Sequence, residues 1–257
     1  KPLVQTYAAA AAIEAMAYDR GLFVGVEYHK RFDRRALDAR RLYQMGMFGQ
    51  FRRGEAKMIE PWCYRHSNFH NWFTCENTDP FTYVGCHYVD QVFFITGLRP
   101  VEVSVRGVRG KFPNGNEGYL WSAGHVTFEN GGLLSVINGL GYPDRGAGSN
   151  DQGIALYGEA DDCGTILKHN DQFRGVSHGY ADNRERAQFM YVSPDYLRLV
   201  PWTGAGLKPV GYGFDSIEAL VRAAMSVNQA HGPRESASAQ AIDRRRQTLR
   251  QIDRHGI

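Results

Sequence analysis

Tyr83, His87 and Asp90 are the side chains whose types and spacing best suit chemistry. Their intervals of four and three residues place them on one face of an α-helix, in a stripe that also holds Phe94. A second stripe on another side is apolar and is explained by core packing: Phe81, Val84, Tyr88, Val92 and Ile95. The polar stripe needs a different explanation. Proton transfer is one, because an imidazole ionises near neutral pH.

The helix that carries both stripes has clear boundaries in the sequence. Asp79 is a good N-cap, and Pro80 suits the first helical position. Gly97 suits the C-terminal stop, where a left-handed residue is common. We therefore predict one complete helix over residues 79–97.

The composition indicates a folded protein without a strong charge bias. Of 257 residues, 43% are hydrophobic and 22% charged, so the chain can bury a core as one large domain or two smaller ones. A net charge of +3 is too small for an electrostatic nucleic-acid binder. No apolar run approaches the roughly 18 residues of a membrane helix, and no signal peptide is visible. The four cysteines lack CxxC spacing and are typical of reduced thiols in a cytoplasmic protein, with a Cys63–Cys75 disulfide left open.

Periodicity and turn signals divide the chain into helices and strands. Helices are expected at 4–18, 34–45, 79–97, 217–231 and 236–255, with a short one near 191–197. Strands are expected at 22–28, 51–59, 101–108, 120–129, 133–139, 154–158 and 165–169. Asn130-Gly131-Gly132 should join two of them in a hairpin. The fold class is α+β: a predominantly antiparallel open sheet with helices on one face, preceded by an orphan αβ unit.

The aromatic-rich segment 60–78 offers two interpretations. His66 and His70 are spaced i, i+4, and with His87 and Asp90 they would make a plausible zinc or iron set. Phe69, Asn71 and Trp72 suit a sugar-facing loop equally well, and we favour no metal. Asn138, Tyr142 and Asp144, after a hairpin strand, are further pocket candidates, with a plain turn as the alternative.

Several segments in order resemble the glucose–fructose oxidoreductase/inositol dehydrogenase/MocA (Gfo/Idh/MocA) family. Lys1-Pro2-Leu3 looks like the end of its Glu-Lys-Pro motif, and Gly25 to Asp33, with Arg31-Phe32, looks like the crossing into its C-terminal domain. The other matching pieces are Gly46-Met47-Phe48-Gly49, Gly85-Cys86-His87-Tyr88-Val89-Asp90 and Thr96-Gly97-Leu98-Arg99-Pro100. The order and spacing agree over 1–107, whereas 119–170 matches in strand pattern only.

The resemblance implies an NAD(P)-dependent oxidoreductase that acts on a sugar, cyclitol or related polyol by hydride transfer. Residues 1–30 would be the last helix–strand unit of an absent Rossmann domain, and 31–257 the substrate-binding and oligomerisation domain. The chain would be truncated at both ends and inactive alone, because no Gly-x-Gly-x-x-Gly follows a strand and opens a helix. The intact protein would use NAD or NADP and form a homodimer or homotetramer through the open sheet, without nucleic-acid or membrane partners.

The resemblance also assigns roles to residues. Lys1 and His87 would be catalytic, with Lys1 and Pro2 near the cofactor. The expected substrate contacts are Tyr83, Asp90, Arg31, His70, Trp72 and Asn138. Family dehydrogenases often carry aspartate where this chain has Tyr83, which could donate a hydrogen bond but could not stabilise an imidazolium as a carboxylate does.

Two other classes of function stay open at this point. The first is a non-catalytic module that dimerises through its open sheet, since such a sheet needs its exposed face covered. The second is a metal-dependent hydrolase that uses His66, His70 and His87. Asp90 could also serve only to orient the His87 ring or to bond a nearby backbone group.

Overall fold

Six strands form one mixed sheet in the computed structural model. They are β1 (Gln50–Pro61), β2 (Pro100–Lys111), β3 (Glu117–Phe128), β4 (Leu133–Tyr142), β5 (Asp151–Ala160) and β6 (Cys163–Asn170). Their spatial order is β2-β3-β4-β1-β5-β6. Only β1 and β4 run parallel among these neighbours; the other pairs are antiparallel. The predicted α+β class with a mostly antiparallel open sheet is confirmed.

Helices and shorter elements complete the part of the chain that the structure describes, namely residues 1–145, 150–170, 179–180, 188–189, 198–204, 206–211, 213–229 and 246–247. The helices are α1 (Tyr7–Asp19), α2 (Arg34–Gln44), α3 (Phe69–Trp72), α4 (Cys86–Thr96) and α5 (Phe214–Gln229). Two 3₁₀ turns span His29–Phe32 and Trp62–His66. Short antiparallel pairs join β7 (Gly179–Tyr180) to β8 (Gln188–Phe189) and β9 (Arg198–Pro201) to β10 (Leu207–Val210). The helices predicted at 191–197 and, apart from residues 246–247, at 236–255 lie outside the described residues.

The chain divides into two compact units: Lys1–His29 with Gly213–Ile257, and Lys30–Tyr212. In the first unit, segment 22–28 follows α1, but it pairs with no other strand among the described residues. Leu22 and Val24 are 50% and 42% exposed, so the predicted burial of this segment is not observed. The backbone at Gly25 instead lies against Leu220 of α5, close enough that a Cβ there would be 2.7 Å from Leu220 Cδ2.

The core of the second unit lies between the inner face of the sheet and α4. Val84, Tyr88, Val92 and Ile95 are buried there, and Phe81 packs against them, as the apolar stripe predicts. The sheet contributes Phe51, Ala56, Met58, Val126, Phe128, Leu134, Val136, Ile154 and Leu156. Helix α4 is thereby held against the middle strands of the sheet.

The predicted helix over 79–97 begins with a turn of π-helix at Phe81–Gly85, which α4 then continues. The Asp79 carboxylate accepts hydrogen bonds from the backbone N–H groups of Phe81 and Thr82, and Gly97 ends α4 with φ 76°. A π turn holds more residues than an α turn. Tyr83 lies in this π turn, whereas His87 lies in the first turn of α4.

Two glycines allow this π turn to lie close to the sheet. A Cβ on Gly124 of β3 would be 2.4 Å from the Phe81 ring, and a Cβ on Gly85 would be 2.5 Å from Asn138 Oδ1 on β4. Contacts under 3 Å force neighbouring atoms to move, so larger residues at either glycine would separate helix from sheet.

Substitution of Gly85 by alanine tests this contact, because the two expectations for it differ in sign. In an ordinary helix interior, Gly→Ala stabilises by about 1 kcal/mol. Here we expect Gly85→Ala to lower the free energy of unfolding by about 1–3 kcal/mol, through overpacking against Asn138. Gly164→Ala, at a strand position with no atom within 4 Å of the new Cβ, is the matched control and should change stability by less than about 0.5 kcal/mol. Urea titration measures both, and a stabilised Gly85→Ala would contradict the contact.

Candidate functional site

A row of polar side chains crosses the inner face of the sheet at one end. Strand register places Ser122, Asn138, Met58 and Gln152 side by side on β3, β4, β1 and β5. Glu60 is the next residue along β1 on the same face. All four polar members are buried, with Asn138 and Gln152 at 0% and 1% exposure. These residues are called the polar floor below.

Two buried amide side chains connect a buried lysine to a buried carboxylate across this floor. Lys30 Nζ donates to Gln152 Oε1 at 2.8 Å, and Gln152 Nε2 donates to Asn150 Oδ1 at 2.9 Å. Asn150 Nδ2 in turn donates to Glu60 Oε2 at 3.2 Å. Lys30 Nζ also lies 5.0 Å from the centre of the Tyr88 ring. Both charges of this network are therefore buried and joined by oriented amides, as buried charges require.

Asn138 and Ser122 contrast with that network. The Asn138 amide nitrogen and oxygen and the Ser122 hydroxyl are buried and have no hydrogen-bond partner within the described part of the chain. Buried polar groups in proteins are nearly always bonded to protein, water or ligand. The two residues face one another on adjacent strands, so their unpartnered polar atoms belong to one part of the floor.

His87 and Tyr83 lie on the helix above the floor. His87 is 1% exposed and follows by two residues Gly85, which contacts Asn138. Tyr83 packs edge-on against Phe69 and Trp72, with ring centres 5.1 and 5.5 Å apart. Burial raises the pKa of Tyr83, and the nearby Glu60 carboxylate and Cys86 thiol raise it further. Tyr83 is consequently a neutral hydrogen-bond donor near Glu60.

Arg31 and Asp90 bind each other. Arg31 Nε donates to Asp90 Oδ2 at 2.9 Å and Nη2 donates to Oδ1 at 2.5 Å, which ties the turn at His29–Phe32 to α4. Burial raises the pKa of the Asp90 carboxyl, and the Arg31 hydrogen bonds and charge oppose that rise without cancelling it. Both side chains have a structural partner, and their predicted contact with substrate stays a prediction.

The other predicted site residues are spread over the molecule. Trp72 is 40% exposed and shares an aromatic cluster with Tyr83, which brings it to the same side of the floor. The His70 carbonyl accepts from the side-chain amides of Asn114 and Asn116, so this residue holds a loop in place. Lys1 and Pro2 belong to the other compact unit, and their catalytic and cofactor roles stay predictions.

Sequence reasoning missed Lys30, Glu60, Asn150, Gln152 and Ser122. The alternation of the strand sequences could have indicated two of them. Glu60 and Ser122 occupy positions that point to the inner face of β1 and β3, where the other inward residues are mostly apolar. A polar residue at such a position indicates either a satisfied network or a site. For Lys30 no such signal exists, since its burial depends on tertiary packing alone.

Three chemical alternatives considered from the sequence, namely a metal site, a dinucleotide-binding loop and a disulfide, are not supported by the arrangement of the described residues. No group of three or more His, Cys, Asp and Glu side chains there could hold a metal ion. The glycine pair Gly139 and Gly141 lies inside β4 under the Trp121 indole, so this pair forms no phosphate-binding loop. All four cysteines are free, which excludes the Cys63–Cys75 disulfide in this structure.

None of the described helices is long and apolar enough to cross a membrane.

Comparison with known proteins identifies the sheet and its helices. Residues 36–162, from α2 to the turn after β5, match the GFO/IDH/MocA C-terminal domain family. The chain contains a GFO/IDH/MocA C-terminal domain. No curated protein matches the chain by sequence. The family resemblance inferred from the ordered motifs is thus confirmed.

Solved structures share the fold of this GFO/IDH/MocA chain at low sequence identity. GenD2 from gentamicin A biosynthesis, in complex with NAD, aligns with TM-score 0.61 at 12% identity over 98% of this chain and 66% of its own. The scyllo-inositol dehydrogenase of Lactobacillus casei, with NAD(H) and scyllo-inositol, aligns with TM-score 0.53 at 15% identity over 97% and 66%. An oxidoreductase from Sinorhizobium meliloti gives 0.57 at 18% over 98% and 67%. The chain therefore spans about two thirds of their length.

Replacement of Asn138 by alanine tests whether its amide serves stability. Burying an amide without a hydrogen-bond partner destabilises the fold by about as much as the packing of that side chain stabilises it. We therefore expect Asn138→Ala to change the free energy of unfolding by less than about 1 kcal/mol. Leu134→Ala, on the same strand and also at 0% exposure, should cost about 2–5 kcal/mol. Urea titration compares the two. A loss of stability at Asn138 as large as that at Leu134 would show that the amide has a structural role.

Proposed function

We propose that this chain is the substrate-binding part of an NAD(P)-dependent oxidoreductase that acts on a sugar, cyclitol or related polyol. The observation that carries the proposal is the polar floor beneath His87, inside a GFO/IDH/MocA C-terminal domain. Its amides, hydroxyl and carboxylate offer the mixture of donors and acceptors that a polyhydroxylated ring requires. The scyllo-inositol dehydrogenase with the same fold supports a cyclitol as one member of this class.

His87 is the proposed base. Oxidation of an alcohol requires that the hydroxyl proton leave as the hydride departs, so a base must lie within hydrogen-bond reach of that hydroxyl. Imidazole suits this task at neutral pH. Tyr83, held neutral by burial and by Glu60, would donate a hydrogen bond to a substrate oxygen. Lys1 would hold the reacting oxygen and stabilise developing negative charge.

The dinucleotide, NAD or NADP, supplies the hydride acceptor when bound. Gly139 and Gly141 are occupied by contact with Trp121, so they do not fit a pyrophosphate, and we assign the dinucleotide to a separate domain. Pro2 would then lie at the junction with that domain, beside Lys1. No step of the proton chemistry assigned to His87 depends on where that domain lies.

Self-association through the outer face of the sheet is the second part of the proposal. Ile137, Tyr157 and Ile166 lie on that face and are 53%, 40% and 60% exposed. Apolar side chains on an open sheet face favour a covering partner, and a second copy covers it symmetrically in a homodimer or homotetramer. The same face would serve a non-catalytic dimerisation module, but such a module gives no reason for unpartnered polar groups on the inner face.

A substitution at His87 tests the base. In the full-length enzyme with its dinucleotide-binding domain, His87→Gln should lower kcat for scyllo-inositol oxidation by about 10²–10⁴-fold, because the amide hydrogen-bonds but does not take up a proton. The polyol Kd of this chain, measured by calorimetry, should change only a few-fold. His125→Gln is the control, since His125 is exposed on β3 and bonded to Ser135. Unchanged turnover in His87→Gln would exclude His87 as the base.

Light scattering tests the oligomer. We expect a dimer or tetramer for the wild-type chain and a shift towards monomer for Ile137→Lys/Ile166→Lys, because each lysine would place a charge in the buried interface. Leu37→Lys, at a 48% exposed position on α2, controls for the loss of an exposed apolar side chain. A monomeric wild-type chain would contradict the proposed interface.

A further inference from the structure

The orientation of every amide between Lys30 and Glu60 is fixed by charge. An ammonium group only donates, so Gln152 must turn its oxygen to Lys30 and its nitrogen to Asn150. Asn150 must then turn its nitrogen to Glu60, whose ionised carboxylate only accepts. The network therefore has one direction, from the ammonium to the carboxylate, and holds Glu60 in one position at 7% exposure.

The two charges of the network balance each other. Lys30 is 2% exposed and Glu60 7%, so one positive and one negative charge lie inside the protein, joined through Gln152 and Asn150. A neutral ligand on the floor leaves that balance intact. An anionic ligand would bring a second negative charge next to Glu60 in a poorly solvated region, where like charges interact strongly.

Glu60 is placed where a ligand on the floor would meet it. On the inner face it lies diagonally from Asn138, because Met58, two residues before it, pairs with Asn138. Its charge also acts on Tyr83 on the helix above. Glu60, a carboxylate that accepts, thus has as neighbours the Asn138 amide, which donates and accepts, and the Tyr83 phenol, which donates. The Asn138 amide has no partner within the described residues.

We propose that Glu60 is a specificity-determining residue that accepts hydrogen bonds from adjacent hydroxyls of a neutral polyol and disfavours phosphorylated or carboxylated analogues. The inference rests on the proposed function and narrows its substrate class. Glu60 Oε2 already accepts from Asn150, but an ionised carboxylate has about four acceptor positions, so the same group can also accept from ligand hydroxyls. Lys30 is assigned only the task of balancing the charge.

Calorimetric titration of the whole chain with scyllo-inositol and with myo-inositol 1-phosphate tests the inference. The wild-type chain should prefer scyllo-inositol by at least about 10-fold, since the phosphate would bring a second negative charge next to Glu60. Glu60→Gln, which keeps an oxygen for Asn150, should weaken scyllo-inositol about 10-fold and reduce the preference over the phosphate by a similar factor. A merely structural role would not change this selectivity ratio. Glu159→Gln, at an exposed ion pair with Arg52, is the matched control.

The results of these titrations separate the role of Glu60 from the proposed function. Wild-type binding of scyllo-inositol with the same selectivity in Glu60→Gln overturns the role of Glu60 and leaves the proposed function standing. Equal wild-type affinity for the phosphate also overturns it. Failure of the wild-type chain to bind either probe overturns the proposed function and this inference together. Where circular dichroism shows Glu60→Gln to be unfolded, Lys30→Met/Glu60→Gln, which removes both buried charges, gives the same comparison.

Discussion

The close approach of the π turn at Phe81–Gly85 to the sheet is the contact on which the site depends. Gly124 and Gly85 remove the side chains that would separate the two layers, so the Phe81 ring and Asn138 meet backbone directly. This contact brings the first residues of α4, His87 among them, over the end of the sheet where the inward side chains are polar. The apolar half of the same helix, from Val92 to Ile95, supplies the burial that keeps it there.

The polar floor divides into a satisfied half and an unsatisfied half. On one side, Lys30 and Glu60 are joined by oriented amides, so the buried charges compensate each other. On the other side, Asn138 and Ser122 have no partner among the described residues. One half of the floor therefore holds its charged groups in fixed positions, and the other half has polar groups without hydrogen-bond partners. This arrangement is expected of a ligand site more than of a network that only stabilises the fold. The Arg31–Asp90 pair belongs to neither half and anchors α4 to the 3₁₀ turn at His29–Phe32.

Local patterns in the sequence predict most of the fold. The 3.6-residue period around Val84 and Val92 predicts the packed face of the helix, and the turn at Asn130-Gly131-Gly132 predicts the β3–β4 hairpin. The parallel pairing of β1 with β4 was not predictable in this way, because it joins strands distant in sequence. The π turn was missed for a related reason. Its register depends on contact with Gly124 across the core, which no local period reports.

The candidate site was predictable in part. Motif resemblance and strand position single out His87, Asn138 and Tyr83, whose roles stay predictions, as do those of Arg31 and Asp90, which bind each other. Lys30 and Gln152 were missed because they bond each other across a separation of 122 residues in sequence. A buried lysine that lies in a 3₁₀ turn and donates to a distant strand has no sequence signature. Its discovery required the three-dimensional arrangement.

The claim that the polar floor binds the substrate is tested most directly by nuclear magnetic resonance of the isotope-labelled chain. The Asn138 side-chain amide, which has no partner within the described residues, reports on the floor itself. We predict that scyllo-inositol shifts the Asn138 amide resonances and those of Gly85 above it, and leaves the exposed Asn114 amide near its free position. Saturable shifts at Asn114 with none at Asn138 would contradict it.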